Sequence, residues 1–358
     1  MHRYWPFALG IALIVAGVVY EMRGALAVGL MKAVAGRAMN ADAVADLADG
    51  LTVVLCGAGS PLPDPKRSGP CVVVVAGKHV YEVDAGASAG RNMTRLGFAP
   101  GRIDALFLTH FHSDHIDGLG EVAELRWAGG AHTEPLPVFG PSGVEQVVDG
   151  FNTAYTLDAG YRTAHHGPKV TPPQGRGCVA KAFDPPGAGA APIVWSADGL
   201  TVTAFSVHHD PVSPAVGYKF EYGGRSVVIS GDTAKSANLE LFAHNVDVLV
   251  HEALSPELVG ILGKAAEDAG RANVAQIMGD ILNYHTAPIE AAQIAAAANV
   301  RHLLFYHVIP PLLVPGIEAA FLNGVADVYH GPVTLGRDGT QIALPKGSTE
   351  IIVRQLSF

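Results

Sequence analysis

Three cysteines in 358 residues are too few for a disulfide-built scaffold, and Cys56, Cys71 and Cys178 form neither a C-x-x-C pair nor a zinc-ribbon spacing. Cys56 and Cys71 fall on neighbouring predicted strands, where a bridge would suit an oxidising compartment; buried free thiols are the preferred reading. Charge is also scarce. Only 16% of residues are charged, and 24 Lys and Arg are outnumbered by 33 Asp and Glu, for a net charge of −9. Affinity for polyanions rests on Lys and Arg neutralising phosphates, so a general nucleic-acid binder is not expected. The mean hydropathy of +0.26 is high for a soluble enzyme.

Part of that hydropathy comes from the N-terminus. Trp5 to Tyr20 runs without a charge, after His2 and Arg3 and before Glu21 and Arg23. That length suits the apolar region of an export signal and is slightly short for a membrane span. Ala25-Leu26-Ala27 offers a cleavage site, and Gly24 to Ala35, carrying Lys32, continues as an amphipathic stretch. Residues 1–40 are therefore read as a signal peptide or membrane anchor, with membrane contact through residues 4–20. The catalytic part is expected outside the cytoplasm, periplasmic or anchored. A polar linker leads to a second unit, residues 51–345.

That unit reads as α/β. Val-rich runs at Leu51–Cys56, Cys71–Ala76, His79–Val83 and Ile103–Leu108 are strands, followed by a helical pattern from His115 to Trp127. The plan recurs: strands over Leu200–Val207, Val216–Tyr222, Ser226–Ile229 and Val246–Val250, then Ala-rich helices around Ser255–Ala269 and Pro288–Ala298, then a strand over Arg301–Tyr306. Phe151 to Asp198, with Pro172-Pro173 and Pro185-Pro186, reads as a long loop over the site that sets substrate preference through Tyr155, Asp158, Tyr161, Arg162, His165 and His166.

Directly after the Ile103–Leu108 run stands Thr109-His110-Phe111-His112-Ser113-Asp114-His115, three imidazoles and a carboxylate at a strand end. Imidazole and carboxylate are zinc ligands, and a rigid strand edge is a good place to present them. The H-x-H-x-D-H spacing resembles the metal motif of the metallo-β-lactamase-fold hydrolases. The resemblance extends to Phe205-Ser206-Val207-His208-His209 with Gly217-Tyr218, Ser230-Gly231-Asp232, His251-Glu252-Ala253, Tyr284-His285-Thr286 and Phe305-Tyr306-His307. Leu55-Cys56-Gly57-Ala58-Gly59-Ser60-Pro61 is similar to the family's opening loop, with Cys56 and Ala58 as departures. The branch it looks like is that of tRNase Z and arylsulfatase.

The resemblance implies a four-layer αββα sandwich of two βαβ-like halves with metals between the sheet edges. It implies two divalent ions, zinc first with manganese or iron tolerated. His110, His112 and His209 would hold one and Asp114, His115 and His307 the other, with Asp232 bridging. Such a pair lowers the pKa of a bound water toward about 7, and the resulting hydroxide attacks an ester. His112, where redox-active relatives carry a carboxylate, points to hydrolysis. His285 would assist the leaving oxygen, oriented by Glu252, so that His285, Glu252 and Asp114 form the reactive set. Asp84 is expected to brace the first metal loop. His208 competes with its neighbour His209 for the inward-facing position, because adjacent strand residues face opposite ways.

A tRNase Z carries a tRNA-gripping arm between the Gly-Tyr and Ser-Gly-Asp motifs. Here only about a dozen residues separate Gly217-Tyr218 from Ser230-Gly231-Asp232, and Gly223-Gly224 marks a plain hairpin. The expected activity is therefore hydrolysis of a small phosphodiester or aryl sulfate. The alternatives are an arm-less tRNase Z-like ribonuclease, or a carboxylic ester or lactone hydrolase. A degraded, non-enzymatic member would lack a ligand, and none is missing. The resemblance also leaves a homodimer open.

Overall fold

The computed structural model describes residues 5–40 and 42–357; His2, Arg3 and Tyr4 of the predicted N-terminal signal lie outside it. Two compact units are present, residues 1–43 and 44–358. The first is a single helix, Trp5–Asn40, whose described apolar side chains such as Leu13, Val19 and Leu30 are exposed. Its segment Ala12–Gly36 is long and apolar enough to cross a membrane, as a signal sequence also is.

In the second unit the strands are β1 (Gly50–Gly57), β2 (Cys71–Ala76), β3 (His79–Val83), β4 (Ile103–Phe107), β5 (Leu136–Pro141), β6 (Cys178–Phe183), β7 (Ile193–Ala197), β8 (Leu200–Ser206), β9 (Val216–Tyr222), β10 (Arg225–Ile229), β11 (Val248–Leu254), β12 (Leu303–Ile309), β13 (Val333–Leu335), β14 (Thr340–Pro345) and β15 (Ile352–Gln355). They form two sheets, ordered β15-β14-β1-β2-β3-β4-β5-β6 and β13-β12-β11-β10-β9-β8-β7. Both are mixed: β3, β4, β5 and β6 run parallel, as do β10, β11, β12 and β13. The inner faces share one core, in which Val53, Val74 and Phe107 meet Phe220, Val250 and Leu304. Outside the second sheet, Ala291, Ile294 and Ala295 of the helix Pro288–Ala297 pack with Leu249 and Phe305. Helices cover the first sheet in the same way, with Val122 and Trp127 of Leu119–Gly130 fully buried. The expected four-layer sandwich is what forms.

The hairpin between β9 and β10 turns at Gly223 and Gly224, with φ of 58° and 78°. Two consecutive positive φ angles match a two-residue hairpin turn, and no arm leaves the sheet there.

Three local expectations change. The stretch 151–198 is not a long loop: it holds the end of the helix Val144–Ala154, a helix Thr156–His166, and strands β6 and β7. β6 and β7 are edge strands, one in each sheet, and stay half exposed, so they lack a clean apolar alternation, and prolines on either side mask them. A further helix, Ala272–Asp280, follows the break at Gly270, and β15 carries the first sheet on past residue 345. Finally, Cys56 and Cys71 are joined in a disulfide, not free. They sit on paired strands β1 and β2, one residue out of register across the bulge between Leu55 and Gly57.

The bridge closes a loop of about 15 residues, which corresponds to roughly 3 kcal/mol in a chain-entropy account. Thiol titration of the denatured, unreduced protein is expected to return one thiol, Cys178. The double variant Cys56→Ala/Cys71→Ala is expected to lose about 2–3 kcal/mol in urea unfolding.

Candidate metal centre

The polar cluster sits where several strands end on one edge of the sandwich. β4 runs into His110, His112 and a one-turn helix, Ser113–Ile116, that carries Asp114 and His115. β8 is followed by His209, β10 by Asp232, and His307 lies within β12. The two sheets are tied together here: Val216 N donates to Thr109 O at 3.0 Å, and the Tyr218 hydroxyl donates to Leu108 O at 2.6 Å.

Asp232 is the centre. Its Oδ2 lies 3.4 Å from His115 Nε2, 3.3 Å from His307 Nε2, 3.8 Å from His209 Nε2 and 3.9 Å from His110 Nε2. Ligand atoms of His110, His112, His209 and Asp232 fall within 4.8 Å of one another, as do those of Asp114, His115 and His307. These are the two groups the sequence motifs imply, with Asp232 between them.

The backbone is shaped for this. His307 is the unpaired residue where the β11–β12 register shifts, between the pairs Glu252–Tyr306 and Ala253–Val308, and its φ is 44°. A bulge re-aims a side chain, and a left-handed histidine is a costly conformation retained only where neighbours enforce it. Gly231, at φ 62°, precedes Asp232; a Cβ there would meet Val216 O at 2.8 Å and Thr109 Cβ at 2.9 Å.

Around the cluster, acceptors fix the imidazoles. Asp84 accepts from His115 Nδ1 at 2.8 Å and from the Thr109 amide at 2.8 Å, bracing the loop as expected. His209 Nδ1 donates to Tyr284 O at 2.9 Å. Each bond leaves the Nε2 of its ring to face the cluster, the arrangement that orients metal-binding histidines. His209 is buried and His208 exposed, which settles their competition.

Electrostatics point the same way. Burial drives the His110 pKa far below its usual value and takes His209 down to about 4, so both stay neutral with a lone pair to give. Burial opposes charge on His115 as well, but the Asp232, Asp84 and Asp114 carboxylates outweigh it and push its pKa well up. Burial would raise Asp232, yet His307 and His115 hold it well below the carboxylate range. The cluster thus favours positive charge at its middle.

His110 Nε2, His115 Nε2 and Asp232 Oδ1 are buried without a hydrogen-bond partner. Orphaned atoms gathered in one place would be costly in a protein interior, and divalent cations satisfy them. The residues therefore fit a dinuclear metal site.

Beside it, His285 Nδ1 lies 3.1 Å from Glu252 Oε1, which also accepts from the Thr286 and Thr233 amides at 3.0 and 3.2 Å. Glu252 is buried, and burial with the nearby Asp232 charge raises its pKa. His285 lines a cavity of about 300 Å³ together with His112, Asp114, Asp232 and His307.

The cavity's remaining walls were not foreseen. They come from Leu62 in the loop after β1 and from Ile277, Met278, Ile281 and Tyr284 around the end of Ala272–Asp280. The segment 151–198, expected to cover the site, contributes no residue to this cavity. His165 and His166 are exposed at the end of the helix Thr156–His166. Only the apolar i, i+1, i+4 spacing of Ile277, Met278 and Ile281 could have signalled the wall.

The sequence profile of the metallo-β-lactamase superfamily matches residues 64–289. The chain belongs to that superfamily. It is a metal-dependent hydrolase, and the relatives it matches place it in the ribonuclease Z-like branch. A ribonuclease Z of Mycolicibacterium paratuberculosis is 36% identical over 290 residues, 80% of this chain and 96% of that relative. One from Mycobacterium sp. strain KMS is 34% identical over 298 residues, 83% and 97% respectively. Among solved structures, the metallo-β-lactamase fold protein YhfI from Bacillus subtilis superposes with a TM-score of 0.59 at 21% identity, covering 83% of this chain and all of that one. The short form of human tRNase Z gives 0.58 at 20% identity, covering 82% and 99%.

Metal analysis is expected to find two divalent ions per chain. Asp232→Ala should lose both, and Asp84→Asn should weaken binding about 10- to 100-fold in a chelator competition.

Proposed function

We propose that this chain is a two-metal phosphodiesterase that cleaves RNA in the manner of a ribonuclease Z. The observation carrying this reading is the near end-to-end match to proteins named Ribonuclease Z, combined with a full set of seven metal-binding side chains. The match accounts for 96% of that relative, so this chain, with its plain β9–β10 hairpin, is similar to it almost end to end. The lack of an arm therefore weighs less against RNA, and the expectation that nucleic acid is an unlikely partner gives way to the arm-less ribonuclease alternative. The same relatives favour a phosphodiester over an aryl sulfate, carboxylic ester or lactone.

In this reading His110, His112 and His209 would hold one ion, Asp114, His115 and His307 the other, and Asp232 would serve both; zinc suits the imidazole–carboxylate set. When bound, such ions would supply an activated water and offset charge on the phosphoryl oxygens. The chain's own contribution is proton handling. His285 Nε2 gives a proton to the departing oxygen while Glu252 accepts from Nδ1 and steadies the imidazolium. Glu252 is a positioning residue, itself fixed by the Thr233 and Thr286 amides. The exposed N-terminal helix supports export or anchoring.

Metal-loaded protein is expected to cut a 3′-extended precursor tRNA and bis-p-nitrophenyl phosphate, with chelator abolishing both. Cleavage of neither would refute the reading. His285→Ala should lower kcat on RNA about 10²- to 10⁴-fold while keeping both metals. Its effect should be smaller on the nitrophenyl ester, whose leaving group needs little protonation.

A further inference from the structure

We propose a further activity for the same site: hydrolysis of phosphodiesters that carry one long apolar chain, the chain lying in the cavity beside the metal centre. The inference rests on the phosphodiesterase reading but not on RNA as the substrate.

The cavity has two unlike sides. His112, Asp114, Asp232, His285 and His307 form the polar side, where a phosphate would sit. Leu62, Met278, Ile281 and Ile309, which share one apolar cluster, and Ile277 line much of the rest, with no Lys or Arg among the lining residues. A polyanion reaching into this space would find no counter-charge for its next phosphate. An aliphatic group would find a surface that rewards it, each buried methylene tightening binding about fourfold.

This wall is built on a core of its own. Met278 and Ile309 pack with Leu254 and Val259, with Leu62 and Ile281 against them, so the apolar surface is fixed in place rather than formed by mobile side chains. The wall also reaches solvent, since Ile277 lines the cavity and is 53% exposed. An exposed aliphatic side chain at a site offers a surface to apolar material.

The source of such diesters is argued from the other unit. Ala12–Gly36 is a fully exposed helix able to span a bilayer. A chain that keeps it resides at a membrane, where diesters bearing acyl chains are concentrated; the occupant is therefore the aliphatic part of a membrane-derived phosphodiester. The reaction balances as a hydrolysis. The water oxygen bonds to phosphorus, one ester P–O bond breaks, and that oxygen leaves as an alcohol after taking a proton. The product is a phosphomonoester.

The test uses full-length, metal-loaded protein and alkylphosphonates as inhibitors of bis-p-nitrophenyl phosphate hydrolysis, below their micelle-forming concentrations. A phosphonate places its head at the metals whichever ester group the cavity normally takes. Ki is expected to fall at least about tenfold from methyl- to decylphosphonate. Ile277→Glu should erase most of that ratio, read as decyl over methyl within the same variant. In parallel, an acylated glycerophosphodiester should be cleaved to its phosphomonoester with kcat/KM at least about tenfold above its deacylated counterpart. A Ki independent of chain length, or no preference for the acylated diester, overturns the inference while leaving the phosphodiesterase reading intact. If neither bis-p-nitrophenyl phosphate nor precursor tRNA is cleaved, the underlying reading fails and this inference goes with it.

Discussion

One carboxylate governs the architecture of this site. Asp232 lies within 4 Å of four imidazoles that arrive from both sheets, His110 and His115 from the first and His209 and His307 from the second. No single element can build such a cluster. It requires the sandwich to be closed with β4 and β9 in register at their ends, which the Val216–Thr109 and Tyr218–Leu108 bonds enforce. The aromatic packing of Phe107 on Tyr218 and Phe220 lies directly behind. Core packing and site geometry are thus one problem: a shift between the sheets would separate the two halves of the cluster.

The surrounding residues convert a cluster of bases into an ordered set. Asp84, the Tyr284 carbonyl and Glu252 each take one imidazole N–H, and each comes from a different strand or turn. The result is a site whose ring orientations are decided by the fold and not by what binds. The asymmetric cavity adds direction, since one side is ionic and the other aliphatic.

Much of this could be read from the chain. H-x-H-x-D-H concentrates four of the seven residues in six positions, His209 and Asp232 each follow an apolar strand, and His307 lies within one whose pattern is plain. Strands buried on both faces, such as β2 with Val72 to Val75, leave continuous apolar runs that are hard to misread. What was hidden had weak or conflicting local signals. The helix Thr156–His166 exposes Leu157 and Tyr161 and buries little besides Ala159, so few apolar residues mark it. The left-handed His307 cannot be seen in a strand pattern at all, because the bulge exists only relative to β11. The disulfide likewise depends on strand register, where one residue decides whether two thiols meet.

That bridge joins the two ends of the segment 57–70, which supplies Ser60, Pro61 and Leu62 to the cavity. The same segment reaches the cluster: Ala58 O accepts from Val308 N beside His307, and Pro70 O from Gly86 N, against which the Asp114 carbonyl packs. One covalent tether thus holds the substrate wall and the backbone on two sides of the polar cluster. In a reducing cell interior both would be left to the hydrogen bonds and the core alone, so the compartment of synthesis bears on the whole site at once.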